Sequence, residues 1–128
     1  MKKTQKRILI IDDDRVYVTL LEYLLSKEGF LVETAENGDE ALRKDLSALP
    51  DLIILDINMP IIDGYQLART LKSNEKTKNI KILLCSSNSS LEDIEKGLST
   101  GADDYIKKPF NTEEMLHRVH VNLLKGMV

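Results

Sequence analysis

Three of the most apolar runs in this 128-residue chain stop abruptly at a residue with a reactive polar side chain. Ile8–Ile11 ends at Asp12 and Asp13, Leu52–Leu55 at Asp56, and Ile82–Cys85 at Ser86. A shorter run, Tyr105 and Ile106, leads through Lys107 into Lys108 and Pro109. Unbroken apolar runs of about four to eight residues characterise strands of a parallel sheet covered by helices on both faces. In such a sheet all strand C-termini lie along one edge, and ligands bind in the crevice there. Three carboxylates, a hydroxyl and an amine, far apart in sequence, are thereby expected to converge.

Between the apolar runs lie amphipathic stretches. Tyr17, Leu20, Leu21, Leu24 and Leu25 recur at helical spacing, with Asp14 as N-cap and Gly29 placed to end the helix. Phe30 to Thr34 reads as a strand, less buried than the others because it carries Glu33. Asn37 and Gly38 turn into a helix with Ala41, Leu42 and Leu46 that Pro50 ends. Asn58, Met59 and Pro60 form a loop, and Asp63 and Gly64 open a helix through Leu67, Ala68 and Leu71. Lys72 to Asn79 reads as a polar connection. Leu91, Ile94 and Leu98 mark a fourth helix that stops before Gly101, and Thr112 is the expected cap of a closing helix, with Glu113 and Glu114 in its first turn.

Strand then helix, five times over, is a doubly wound α/β domain with right-handed crossovers. The three strands apolar throughout belong in the centre. The polar second strand and the short fifth strand belong at the edges, which gives the flavodoxin-like order 2-1-3-4-5 with a switch point between strands one and three. Asp12, Asp13 and Asp56 end those two strands. No internal domain boundary or repeat interrupts the chain.

Composition narrows the function. A net charge of −3 argues against a nucleic-acid surface. Lys2, Lys3, Lys6 and Arg7 read as a solvated terminus. No run approaches the ~20 apolar residues of a membrane span, and no signal-like core follows Met1. The single cysteine, Cys85, reads as a small buried hydrophobe in a reducing compartment, so the chain is expected to be cytoplasmic.

Each candidate residue has an ordinary alternative. Aspartates at strand-to-helix junctions are often caps, but Asp14 can cap alone, which leaves Asp12 and Asp13 without that explanation. Three carboxylates in one crevice raise each other's pKa unless a cation sits among them, and a hard divalent ion such as Mg²⁺ suits oxygen ligands. Lys107 reads as a solvent-exposed charge. Lys108, leaving the fifth strand, is placed to pair with a carboxylate or a phosphoryl oxygen. Acids, Mg²⁺, hydroxyl and ammonium together suit phosphoryl transfer, where positioning and charge neutralisation dominate. No Gly-rich loop follows the first strand, so dinucleotide and P-loop readings fail. His117 and His120, three apart on the last helix, read as a solvated face rather than a metal site.

The segments Ile8–Asp14 (ILIIDDD), Asp51–Pro60 (DLIILDINMP) with Asp63 and Gly64, and Gly101–Phe110 (GADDYIKKPF) resemble the receiver domain of two-component response regulators. The resemblance runs from Arg7 to about Lys125, so residues 1–128 read as one receiver with no output domain in this chain. It implies that Asp56 is the phosphoacceptor, with Asp12, Asp13, Asp56 and the backbone carbonyl of Asn58 holding Mg²⁺. Asp13 is then the more direct ligand of the acidic pair. It further implies that Ser86 senses the phosphoryl group, that Lys108 binds it beside a cis Lys108–Pro109 peptide, and that Tyr105 is an aromatic switch. The implied donor is a histidine kinase or histidine phosphotransfer protein, and the implied recipient a downstream protein target or a covalently linked output domain. Such a switch phosphorylates and dephosphorylates itself without turning over an external substrate. The alternative is an aspartate-nucleophile phosphatase of similar fold, although Asn58 stands where such an enzyme usually has a second Asp.

The expected output surface is the face of the fourth helix, fifth strand and fifth helix. On the last helix Leu116, Val119 and Leu123 form the expected inward stripe, while Val121, Leu124 and Val128 repeat the spacing on another face. That second face is either a broad core contact or a homodimer interface.

Overall fold

The computed structural model describes residues 5–43, 49–58, 63–87 and 90–124. Its elements, in chain order, are β1 (Arg7–Ile11), α1 (Arg15–Lys27), β2 (Leu31–Ala35), α2 (Gly38–Arg43), β3 (Leu52–Asp56), α3 (Gly64–Ser73), β4 (Lys81–Ser86), α4 (Leu91–Leu98), β5 (Asp104–Lys107) and α5 (Thr112–Leu124). The five strands form one parallel sheet in the order β2-β1-β3-β4-β5, as the apolar patterning predicts.

Alternation along each strand sends side chains to two cores. Leu9, Ile11, Ile53, Leu55, Ile82 and Leu84 pack with Ala41 of α2 and Leu67, Ala68 and Leu71 of α3. Ile8, Ile10, Leu52, Ile54, Leu83 and Cys85 pack with Leu21 and Leu25 of α1 and with Met115 and Val119 of α5. Every residue of β3 is buried, whereas β2 exposes Leu31 and Glu33. That contrast puts β3 in the centre and β2 at the edge. The register sets Ile11 against Leu55, Asp56 against Cys85, and Ser86 against Lys107, so the strand ends fall in one row.

The helix starts follow their capping residues. The Asp14 side chain accepts from the backbone N–H of Tyr17 at 3.2 Å, and that of Asp63 from Gln66 at 2.8 Å. Gly29, at φ 96°, lets the chain leave α1 in a left-handed conformation. Four expectations need correction. The cap of α5 is Asn111, whose side chain accepts from the Glu114 N–H at 2.7 Å; Thr112 is already helical. Helix α3 continues through Lys72 and Ser73, into the stretch expected as a polar connection, and the Lys72 ammonium is tied to Asp103 at 2.8 Å. The second strand is shifted by one residue, from Leu31 to Ala35. The fully buried line on α5 runs through Met115, Val119 and Asn122, with Leu116 and Leu123 only partly buried beside it. Asn122 tolerates burial because its amide donates to Asp104 and to the Arg118 carbonyl, each at 2.8 Å. Leu46, Met59, Pro60, Lys125 and Val128 lie outside the described residues.

Gly64 opens α3 against the end of β3. A Cβ there would sit 2.5 Å from the Cα of Ile57 and 2.6 Å from the carbonyl oxygen of Asp56, both backbone atoms with no rotamer to give way. Gly64→Ala is therefore predicted to destabilise the fold by about 1–3 kcal/mol, even though Ala is the better helix former. Urea unfolding checks this, and an unchanged midpoint would show that the close approach is not constraining.

Candidate functional site

At the C-terminal edge of the sheet, oxygens of Asp12, Asp13 and Asp56 all lie within 4.8 Å of one another. Among the described residues this is the one group of three such side chains close enough to share a metal ion. Asp12 and Asp56 are buried, while Asp13 is exposed. The different exposures follow from the chain path. β1 ends at Ile11, and the N–H of Asp12 still bonds to the Ala35 carbonyl at 3.1 Å, which keeps Asp12 against the sheet. Its Oδ1 accepts from the Asp14 N–H at 3.0 Å as the chain turns into α1. Asp13, on the outside of that turn, faces solvent.

Asp56 ends β3, and the next residue is still held to β4 by the bond from the Ile57 N–H to the Cys85 carbonyl at 3.0 Å. The Asn58 N–H donates to Asp56 Oδ1 at 3.4 Å. Lys108 reaches the same place from β5. Its backbone N–H bonds to the Ser86 carbonyl at 2.7 Å, and its Nζ stands 2.9 Å from Asp12 Oδ2 and 3.5 Å from Asp56 Oδ1. The Lys108–Pro109 peptide is cis, as expected. Ser86 is buried at the end of β4. The sequence-predicted acids and amine are thus brought together by the ends of β1, β3 and β5, with Ser86 ending β4 between β3 and β5.

Burial pushes the Asp56 carboxyl up to about 6, the negative charge of Asp12 adds to the shift, and Lys108 opposes it. Burial disfavours the Lys108 ammonium, but the hydrogen bond and charge of Asp12 outweigh it and raise its pKa. Among the described residues one ammonium is set against a cluster of three carboxylates, which leaves the crevice short of positive charge. A donor set of hard oxygens with that deficit fits a divalent cation of the Mg²⁺ kind.

Tyr105 does not stand beside Ser86. The register places it opposite Leu84, with Lys107 opposite Ser86. Its ring is turned inward into the core, and a Cβ on Gly97 of α4 would come within 3.1 Å of its Cδ2. His117 and His120 are both exposed; His120 lies 4.0 Å from Glu28 and against the Phe30 ring. Cys85 is buried, and burial holds its thiol well above the ordinary range, in line with a packing role. Among the described residues no helix is long and apolar enough to cross a membrane. One neighbour of the site escaped sequence reasoning. Tyr17, expected only as part of an apolar helix face, has its ring centroid 4.4 Å from Lys108 Nζ. Its five-residue offset from Asp12 gave no signal, because helical periodicity already accounts for it.

Comparison with known proteins agrees with this geometry. The family described as "Response regulator receiver domain" matches residues 8–120. The phosphate regulon transcriptional regulatory protein PhoB of Rhizobium meliloti is 38% identical over 120 residues, which cover 94% of this chain and 53% of that protein. The chain spans about half the length of the curated relatives it matches. The chemotaxis protein CheY4 of Vibrio cholerae superposes with a TM-score of 0.87 at 31% identity, covering 93% of this chain and 99% of its own. The receiver domain of a Pseudomonas aeruginosa sensor histidine kinase, solved with a magnesium ion coordinated in its active site cleft, gives 0.84 at 28% identity, with coverage of 94% and 98%.

The raised Asp56 pKa carries a stability prediction. An acid whose folded pKa exceeds its unfolded value stabilises the fold fully below the unfolded pKa, and that contribution is lost as pH rises through the folded one. Here the window runs from 3.8 to about 6. Asp56→Asn should therefore raise the unfolding free energy of the metal-free protein at pH 7.5 by about 1–3 kcal/mol, with the advantage vanishing near pH 4. Urea unfolding in a chelator at the two pH values measures it. Equal stability of the two proteins at pH 7.5 would contradict it.

Proposed function

This chain belongs to the response regulator receiver domain family, and from that premise we propose that it is a phosphorylation-activated switch whose phosphoacceptor is Asp56. The observation that carries the reading is the buried Asp56 carboxylate set between an acidic pair and the Lys108 ammonium at one sheet edge. A carboxylate oxygen of Asp56 attacks the phosphorus of a phosphohistidine donor, the bond to the imidazole breaks, and an acyl phosphate forms. Lys108 then serves a phosphoryl oxygen with an N–H it now directs at Asp56. Ser86, buried at the neighbouring strand end, has the hydroxyl that would meet another.

Asp12, Asp13, Asp56 and the Asn58 carbonyl are the groups proposed to hold Mg²⁺, with exposed Asp13 the more direct ligand of the acidic pair. When bound, the ion neutralises charge on the phosphoryl oxygens. A magnesium ion in the cleft of the Pseudomonas aeruginosa receiver supports this by analogy. The family match does not favour the phosphatase alternative.

The donor is proposed to be a histidine kinase or histidine phosphotransfer protein. PhoB and PrrA are named as transcriptional regulatory proteins and are about twice as long as the aligned region. We accordingly place either a linked output domain or a separate protein target downstream. The switch surface is proposed to be the α4–β5–α5 face, where Leu91, Leu98 and Leu124 are exposed and Tyr105 sits inward against α4. A homodimer through this face is one way to read it out.

Acetyl phosphate with Mg²⁺ is expected to add one phosphoryl mass, absent with chelator and absent in Asp56→Asn. Asp13→Ala should weaken Mg²⁺ binding more than Asp12→Ala. Full labelling of Asp56→Asn at the same stoichiometry would overturn the assignment. Sedimentation with and without beryllofluoride tests the dimer, and a monomer in both states would remove it.

A further inference from the structure

The Lys108 ammonium has a third neighbour besides the two carboxylates. Nζ lies 2.9 Å from Asp12, 3.5 Å from Asp56 and 4.4 Å from the centroid of the Tyr17 ring. An ammonium has three N–H donors, and two acceptor oxygens plus a π face can engage all three. A cation within about 6 Å over an aromatic face is attracted by the ring quadrupole, more strongly where water is kept away. The Lys108 side chain is only 19% exposed.

The ring is itself fixed from two sides. Tyr17 sits in the first turn of α1, its N–H held by the Asp14 cap, so the turn that presents Asp12 and Asp13 also sets the ring. Phe110 meets it edge-on at 5.3 Å between centroids and 75° between planes. Phe110 is two residues beyond Lys108, so ring and lysine are braced through one loop. Among the described residues the Tyr17 hydroxyl, which is buried, has no hydrogen-bond partner. The contact that matters is therefore made by the ring face and not by the hydroxyl.

We propose that Tyr17 is a positioning residue for phosphoryl transfer, its ring face holding the Lys108 ammonium over the crevice. The proposal rests on the reading of Asp56 as phosphoacceptor. A lysine stem is flexible and its ammonium strongly hydrated, so without the ring it samples solvent-facing rotamers. With the ring in place, Asp12 and Tyr17 keep two donors occupied while the third passes from the Asp56 carboxylate to a phosphoryl oxygen. In the reaction with acetyl phosphate, the bond from the Asp56 oxygen to phosphorus forms as the bond from phosphorus to the acetyl oxygen breaks, and acetate leaves with the electron pair.

Tyr17→Leu removes the π face, and Tyr17→Phe keeps it. Phosphorylation by acetyl phosphate should slow by about three- to ten-fold in Tyr17→Leu and stay within about two-fold of wild type in Tyr17→Phe. Mg²⁺ affinity should be alike in all three proteins. The Lys108 ε-methylene resonances, assigned with Lys108→Arg, should be shifted upfield by the ring in unphosphorylated wild type and Tyr17→Phe, and lose that shift in Tyr17→Leu. Tyr17→Met, similar in bulk but without a π face, repeats both measurements if the Leu variant does not fold. Wild-type rates in the Leu or Met variant, or equal losses in Leu and Phe, would overturn the proposal. If wild type takes no phosphoryl group while the Lys108 shift persists, the phosphoacceptor reading itself fails, and the role given to Tyr17 fails with it.

Discussion

Negative charge packed at one sheet edge is the constraint on which the site depends. Asp12 and Asp56 are buried side by side, and Asp13 is close enough to share a ligand with them. Buried like charges are costly unless paired. The fold answers with one ammonium, delivered from a residue 96 positions further along the chain than Asp12. That single bond ties the first strand to the last. What it leaves uncompensated attracts positive charge, which is the physical basis of the proposed cation site.

The sheet supplies the precision. Parallel strands set their ends in one row, and the N–H groups that follow β1 and β3 remain bonded to neighbouring strands at 3.1 and 3.0 Å, so the acids cannot drift. Gly64 packs directly on the backbone after β3. On the far side of the sheet edge, Ser86 and Lys107 share a register position, while Tyr105 is two pairs further back, beside Gly97 of α4.

Much of this was legible in the sequence because strong local patterns carry it. Unbroken runs such as Leu52–Leu55 can only be central strands here, and the polar β2 can only be an edge, so the strand order follows from burial. Asp12, Asp13, Asp56, Ser86 and Lys108 stand where those runs end, and the resemblance to the family motifs suggests the roles proposed for them. What was not legible depends on contacts between distant segments. Asn111 and Thr112 are both acceptable caps, and geometry alone selects Asn111. Asn122 looks like a surface residue until Asp104 is placed beside it. Lys72 looks like a loop residue until Asp103 arrives. Tyr17 belongs to this group as well, since its ring meets Lys108 only after the sheet has assembled.

A divalent cation held on the acidic trio, as proposed, would relieve the burial and like-charge cost of ionising Asp56. Titration of the Asp56 carboxyl carbon by NMR, assigned with Asp56→Asn and run with and without Mg²⁺, tests it directly. The expected midpoint is about 6 in the metal-free protein, from an ordinary 3.8, with a marked fall when Mg²⁺ is added. A midpoint near the ordinary value in both conditions, unmoved by Mg²⁺, would contradict it.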